Sequence, residues 1–546
     1  MDELKQQLKE IIISKIFVSG KNERLIVNGK EEGWMFDFRR ATLEPDVLDL
    51  YTNIFFKHYT NPDEIQVGGM EVAAVPLVAG IVQKSVALSH PVSGFFVRKS
   101  RKKYDLMRAV EGTVRPDKKI ILVDDILNSG TSIIQQVEVL REQGFPVSEV
   151  FALLRFRDES FYAGLHERGV KLTTLFELND FSTVLPVANM QPHTHVAMRE
   201  PFSTLWKFAS PNPNLHYVIP KSGPVIDDEY LYFGSDSGYF WCLNQTNGEV
   251  VWKFKVPFGT DGKYIFSTPV LSRGLVIFGA YDGNLYALDA KTGKRVWTFF
   301  DADWIGSSPC VAEDLGLVFV GLEFGLFRKQ GGIAAVDIKT GEKVWGREMG
   351  GLTHGSPAYS KKYQTVICGS NNGHVYAFDA KTGEQKGEVV TEGEVKYGIA
   401  LDEENDRFAF GSFDGRVYLR DLKTGSEIAT FDALSGIYST PLFDGMMLYV
   451  ASLDKNIYCF DVTQKKQVWK FNTSARAFAS PVLIEGKLYV GSNTGRLYEL
   501  DPKTGKQTGF LQLAERVVNR VAYNKATKTF FVPTVANEIY AVRIKP

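Results

Sequence analysis

Two adjacent carboxylates, Asp124 and Asp125, close a four-residue apolar run, Ile120 to Val123, and a small polar loop follows, Asn128-Ser129-Gly130-Thr131-Ser132. The run reads as a buried strand, and the segment after the loop, IIQQVEVLREQG, reads as a helix. Strand, acid pair, glycine loop and helix in this order suit a sugar phosphate. The loop and the helix start offer backbone N–H groups and the positive end of a dipole to the phosphate. The carboxylates can accept hydrogen bonds from ribose hydroxyls. The competing reading of the pair is a cap on the helix that follows.

Further segments accompany this stretch in a fixed order. They are FDFRRATLEP (Phe36 to Pro45), VGGMEVAAVP (Val67 to Pro76), FFVRKSRKKY (Phe95 to Tyr104) and, downstream, LLRFRDESFYAGLHERGVKLTTLFEL. Together with KIILVDDILNSGTS they resemble the type I phosphoribosyltransferases, specifically the orotate branch, over residues 1–180. The resemblance implies an α/β domain that binds phosphoribosyl pyrophosphate (PRPP) and displaces pyrophosphate at C1′ through an oxocarbenium-like transition state. Catalysis is then positioning plus stabilisation of the departing charge, with Mg²⁺ held through PRPP and the acid pair.

By the same resemblance, Asp124 and Asp125 hold the ribose hydroxyls directly or through the metal. Asn128, Ser129, Gly130, Thr131 and Ser132 cradle the 5′-phosphate, Asn128 standing where the family usually has Thr. Gly69 and Glu71 fall in the pyrophosphate loop. Arg98, Lys99 and Lys102 match the basic positions of the family's mobile loop, with Tyr104 at its His/Tyr position. Without the resemblance this loop reads as a solvated charged segment. The family's loop acts across a dimer, so a homodimer is expected.

The chain departs from the pattern where the acceptor base would sit. Val27 stands at the place of a Lys, Arg155 and Phe156 stand where the family has Asp and Arg, and Arg157 follows. Asp105 replaces the Gly after Tyr104, and the pyrophosphate loop has Glu71 and Ala73 but no Lys. Val27 and Phe156 would leave an anionic pyrimidine poorly neutralised, so an acceptor other than orotate is expected.

The elements that hold this site occupy a third of a 546-residue chain, which calls for more than one domain. A net charge of −1 gives no argument for nucleic acid or for an anionic membrane. No stretch has the length and apolarity of a membrane span, and MDELKQQLKEIIISKIF reads as an amphipathic helix rather than a secretory leader. The dispersed Cys242, Cys310, Cys368 and Cys459 fit buried small residues in a reducing compartment. A cytoplasmic location is expected.

From residue 205 onward a repeat takes over. NLYALDAKTGKRVWTF, HVYAFDAKTGEQKGEV, RVYLRDLKTGSEIATF and RLYELDPKTGKQTGFL share one frame, with marker carboxylates Asp289, Asp337, Asp379, Asp421, Asp461 and Asp501 at intervals of 48, 42, 42, 40 and 40. Asn244 and Arg543 hold the equivalent place in the first and last copies, making eight. Each copy reads as four short strands, with a D-x-x-T-G turn before the last and an S-x-P segment at its opening. Leu205 to Phe208 (LWKF) matches the outer strand VWKF and is expected to complete the eighth blade. The repeat A-x-D-x-x-T-G-x-x-x-W resembles the quinoprotein-type (PQQ-like) propellers. That resemblance implies docking of Trp252, Trp297, Trp345 and Trp469 onto neighbouring blades. Without adjacent cysteines no PQQ is expected, and a protein-recruiting platform is.

The expected architecture is therefore an α/β phosphoribosyltransferase fold (1–180), a linker (181–204) and an all-β eight-bladed propeller (205–546) closed by 205–208. His193 and His195 read as part of the linker; two histidines alone make no metal site. The expected function is Mg²⁺-dependent transfer from PRPP to an unidentified acceptor, with a protein partner on the propeller. The alternatives are a non-catalytic PRPP or nucleotide sensor, or a defence-type effector acting on PRPP or an unusual acceptor.

Overall fold

The computed structural model describes residues 2–19, 26–27, 30–31, 34–38, 42–98, 110–128, 130–184, 201–214, 219–259, 262–325 and 330–545. Two compact units divide the chain, Met1–Glu200 and, apart from Gln512–Ala514, Pro201–Pro546.

The first unit is built on a six-stranded sheet. Its strands are β1 (Ile65–Met70), β2 (Ser93–Val97), β3 (Val110–Gly112), β4 (Lys119–Leu127), β5 (Val147–Arg155) and β6 (Lys171–Glu177), in the order β6-β5-β4-β1-β2-β3. All neighbours run parallel except β3, which pairs antiparallel with β2. The apolar run of β4 is continuous because both faces of the sheet are covered. Ile121 and Val123 enter one core with Leu8, Tyr51, Phe55 and Leu77, whereas Ile120 and Leu122 enter the other with Ile133, Val137 and Leu140. Those partners lie on helices α1 (Asp2–Ile11), α2 (Pro45–His58), α3 (Val75–Ala87) and α4 (Thr131–Glu142). α1 is amphipathic and runs into a π-helical turn, Ile12–Ile16, which buries Ile12 and Ile16.

The connection β1-α3-β2 winds to one side of β1, and β4-α4-β5 winds to the other. Strand order therefore reverses between β1 and β4, leaving a crevice at their carboxyl ends where open α/β sheets bind ligands.

The second unit is an eight-bladed propeller of four-stranded antiparallel sheets. Seven blades are sequential. The eighth takes its outer strand from Phe202–Ala209, which pairs antiparallel with Glu538–Ile544. This strand is longer than LWKF, because Phe202 also packs edge-on against Phe530 at 5.5 Å.

The repeat markers have separate jobs. Each Trp lies on the turn glycine of the next blade: Trp206 on Gly248, Trp252 on Gly293, Trp297 on Gly341, Trp345 on Gly383 and Trp469 on Gly505. A Cβ on Gly341 would come within 2.7 Å of the Trp297 ring, and its φ is +76°, so glycine is required twice over. Each indole N–H also donates to a backbone carbonyl across the blade boundary, as Trp297 does to Ile338 at 2.8 Å. Opposite each of these four in-blade Trp side chains stands a small residue, Cys242, Ala287, Ala335 or Cys459. Where Trp gives way to Ala429, the opposing residue grows to Leu419. Two of the four cysteines thus make room for an indole, and Cys242, Cys368 and Cys459 are buried.

In the S-x-P openings the first hydroxyl serves its own blade: Ser222 accepts from Gly234 N–H and Ser307 from Gly321 N–H. The second hydroxyl serves the blade before. Thr268 accepts from Gly223 N–H at 2.9 Å, Ser308 from Thr268 N–H, Ser356 from Ser308 N–H and Ser480 from Thr440 N–H. These bonds form a belt from blade to blade.

Candidate active site

The carboxyl ends of β1, β2, β4 and β5 gather the candidate residues of the first unit. At the end of β1, Gly69 packs so closely that a Cβ there would lie 2.3 Å from Ala74 Cβ and 2.8 Å from the Val123 carbonyl. The turn that follows carries Glu71, whose peptide N–H donates to the Val97 carbonyl of β2 at 3.2 Å. The Glu71–Val72 peptide is cis.

At the end of β4, Asp124 is half-buried and Asp125 is buried. Asp124 Oδ1 accepts the Asp125 N–H at 3.0 Å, and Asp125 Oδ1 accepts the Ile126 N–H at 2.8 Å. Beyond Leu127 the loop turns at Gly130, which has a left-handed φ of +68° and leads into α4 without a side-chain cap. The first turn of α4 holds no acidic residue. The start of a helix presents backbone N–H groups and the positive end of its dipole, which suit an anion.

A tyrosine that no local motif marks as part of the site shapes this loop. Tyr162 is buried, and its hydroxyl donates to the Leu127 carbonyl at 2.7 Å and lies 3.1 Å from the Asn128 carbonyl. Its ring would meet a Cβ on Gly130 at 3.1 Å. Burial pushes its phenol up to about 12, against the smaller opposing pull of Arg157. Tyr51 on α2 stands within electrostatic reach of the acid pair. It packs edge-on against Phe151 of β5, beside Val123 in the sheet register. Burial, then the charges of Asp124 and Asp125, push its phenol well above the ordinary value.

Arg98, just past β2, is flanked by two carboxylates. Its Nε donates to Glu111 Oε1 at 2.7 Å, and its Nη1 lies 3.4 Å from Glu71 Oε2. At the end of β5, Arg155 is buried and paired with Glu177, with Glu159 Oε2 at 3.9 Å. Phe156 packs edge-on against Phe36 at 6.1 Å in the apolar core. Arg157 lies over the Phe161 ring at 5.9 Å. Ser132 is exposed in the first turn of α4. Lys99, Lys102, Tyr104 and Ser129 lie outside the described residues, as do Asp105, His193 and His195; for Val27 and Thr131 only the backbone is described.

In the propeller, His354 Nδ1 lies 3.1 Å from the buried Glu323, and His374 Nδ1 lies 3.6 Å from Glu388. His216 lies outside the described residues. Among the described residues no group of three or more His, Cys, Asp or Glu side chains is placed to hold a metal ion. No described helix is long and apolar enough to cross a membrane.

Comparison with known proteins agrees with both halves. The N-terminal region is similar to orotate phosphoribosyltransferase from Bradyrhizobium sp. (strain ORS 278), with 30% identity over 179 residues, 32% of this chain and 95% of the relative. It is also similar to the orotate phosphoribosyltransferase of Methanocaldococcus jannaschii, at 27% identity over 30% of this chain and 88% of that one. The family model PQQ_2, described as outer membrane protein assembly factor BamB, matches residues 198–370 and 371–545. Among solved structures, BamB from Moraxella catarrhalis superposes with a TM-score of 0.51 at 16% identity, over 63% of this chain and 98% of that chain. A europium-containing methanol dehydrogenase does so with a TM-score of 0.51 at 16% identity, over 61% and 84%. At these identities the superpositions show the fold alone. The chain belongs to the orotate phosphoribosyltransferase family through its N-terminal region and to the PQQ_2 propeller family through residues 198–545.

Proposed function

We propose that the first unit binds PRPP in the crevice between β1 and β4 and transfers its phosphoribosyl group to an acceptor that lacks the carboxylate of orotate. One observation carries this reading. The acid pair and the Gly130 turn stand at the strand-order reversal, with the start of α4 behind them. The α4 amides bind the 5′-phosphate, and Tyr162 holds the loop in shape from beneath. Asp124 and Asp125 orient the ribose hydroxyls, so that C1′ faces the acceptor. An acceptor nitrogen then bonds to C1′ as the C1′–O bond breaks, the electron pair leaves with pyrophosphate, and the N–H proton of the neutral acceptor passes to a pyrophosphate oxygen or to water. The hard carboxylate oxygens of the acid pair suit Mg²⁺, which would neutralise charge on the departing group.

The acceptor side supports a neutral base. Phe156 fills its place with an aromatic ring, and Arg155 is already paired with Glu177. An unpaired carboxylate here would cost a few kcal/mol. The propeller is proposed to recruit a partner or substrate. A second reading, a PRPP sensor without turnover, draws support from the two carboxylates already on Arg98.

The test is pyrophosphate release from PRPP and Mg²⁺ across orotate, other pyrimidines, purines and no base, with Asp124→Asn/Asp125→Asn as control. Release with one neutral base, lost in the control, is the expected outcome. Release with orotate alone would overturn the acceptor assignment. PRPP binding without release under any condition would leave the sensor.

A further inference from the structure

The S-x-P openings precede the innermost strand of each blade, so they ring the propeller axis. Two of the eight keep neither the Ser nor the Pro: Tyr397-Gly398-Ile399 opens the fifth blade and Asn519-Arg520-Val521 the eighth. Gly398 and Arg520 have no hydroxyl to give to the belt. Copies of one repeat depart from their shared packing solution where another demand is placed on them. These two exceptions, three blades apart, meet each other: the Tyr397 hydroxyl lies 3.4 Å from Asn519 Oδ1. Asn519 is held in place, its Oδ1 accepting the Arg520 N–H at 2.7 Å and its Nδ2 donating to the Lys221 carbonyl. Tyr397 also begins an aromatic group. Its ring is 5.6 Å from that of Tyr438, and Phe413 and Phe478 stand edge-on to Tyr438 at 5.5 and 5.8 Å. Tyr397, Phe413 and Tyr438 are only half-buried, and Arg520 is exposed. Burial pushes the Tyr397 phenol up to about 12, against the pull of the Arg520 charge. On the other side, the charges of Glu323 and Glu394 act on the Tyr438 phenol, which burial has already raised. Glu323 is buried, and its Oε1 accepts the Gly306 N–H at 3.1 Å. Its Oε2 has no hydrogen-bond partner among the described residues, although His354 Nδ1 lies 3.1 Å away.

We infer that this axial cluster is a second ligand site, which takes a nucleoside 5′-monophosphate with its base against Tyr397 and Tyr438 and its phosphate on Arg520. Every base has a π-face, and open tyrosine rings are stacking platforms for it. The guanidinium of Arg520 matches a phosphate in charge and in planar geometry. The base N–H groups lie on the side of Glu323, whose Oε2 has an acceptor position to give. The choice of a 5′-monophosphate rests on the PRPP reading of the first unit, because transfer to a base yields that class of molecule. The site itself rests on the propeller alone.

The experiment is equilibrium dialysis and calorimetric titration of the full chain with uridine, cytidine, adenosine and guanosine 5′-monophosphates, and with ribose 5-phosphate and the parent nucleosides as partial ligands. The Asp124→Asn/Asp125→Asn background removes the site of the first unit, and Arg520→Gln and Tyr438→Leu are placed in it. In that background at least one of the nucleotides is expected to bind with one site per chain, and its two partial ligands to bind at least about tenfold more weakly. Arg520→Gln is expected to weaken the nucleotide about tenfold and to flatten its salt dependence, and Tyr438→Leu to weaken it about fivefold or more. Arg520 is exposed, so its variant keeps the test open if Tyr438→Leu does not fold. If wild type binds a nucleotide and the Asp124→Asn/Asp125→Asn background binds none, the ligand belongs to the first unit, so the inference falls and the PRPP reading stands. Binding indifferent to both Arg520→Gln and Tyr438→Leu, or equally tight for ribose 5-phosphate, overturns the site. Absence of nucleotide binding in every protein overturns it as well, and leaves the PRPP reading to the pyrophosphate assay.

Discussion

The acid pair and the loop after it are legible as residues because they are contiguous, and a local strand-loop-helix signal suffices to place them between β4 and α4. Their supports are not. Tyr162 lies 35 residues from Leu127, whose carbonyl it binds, and no periodicity links the two. Tyr162→Phe is expected to lower stability by about 0.5–1.5 kcal/mol, since the Leu127 carbonyl loses one of its two donors and keeps the Phe156 N–H. It should also weaken PRPP binding. Chemical denaturation and calorimetry would read the two effects, and an unchanged affinity would remove Tyr162 from the loop's support. Arg155 teaches the same lesson in reverse: its type and position are plain in the sequence, but its partner Glu177 is supplied by the neighbouring parallel strand.

The marker carboxylates of the propeller allow a pH prediction. In Asp379, burial pushes the carboxyl up, but the Lys386 ammonium and the N–H groups of Thr382 and Lys381 outweigh it and hold it at about 2. Asp289 and Asp501 are lowered chiefly by the hydroxyls of Thr292 and Thr504, and Asp337 by the Thr340 N–H. A carboxyl whose pKa is depressed on folding contributes stability above its unfolded value of 3.8, and this is lost as pH falls through the folded value. The propeller's melting temperature is therefore expected to drop between about pH 4 and pH 2. The drop should be smaller in Asp379→Asn. Identical acid profiles would remove Asp379 from this role.

At the scale of elements, the repeat was readable because every copy must solve the same packing problem with the same Trp, Gly and Asp. What the pattern hides is compensation between strands, such as Leu419 facing Ala429 where other blades set Ala or Cys against Trp. Trp297→Ala would empty a nearly buried indole site between two blades and release the Ile338 carbonyl. A loss of about 3–5 kcal/mol is expected in denaturant unfolding. A loss under about 1 kcal/mol would mean that the blades do not depend on this contact. The start of the closing strand was harder to see, because Phe202-Ser203-Thr204 follows Pro201 in a segment without clean alternation and is fixed by pairing with the far end of the chain.

At the scale of the whole molecule, the sequence separates an α/β unit from a repeat unit, and each has its own core. Ligand linkage should then be selective. PRPP with Mg²⁺ at a hundred times its dissociation constant is expected to stabilise the first unit by about 2.7 kcal/mol. In differential scanning calorimetry the transition assigned to that unit should move upward, and the transition of the propeller should stay in place. Movement of the propeller transition alone would transfer the ligand to the second unit.

The strand that seals the propeller also imposes a timetable. Phe202–Ala209 is translated first, and its partner, Glu538–Ile544, is translated last. At about 5–20 residues per second, roughly 330 residues of chain must emerge between them. The half-buried Trp206 and Phe208 therefore wait on the order of 20–60 s for their seat. During that interval the nascent ring is an open arc with an unpaired β edge at either end, the state in which chaperones or a second nascent copy could intercept it.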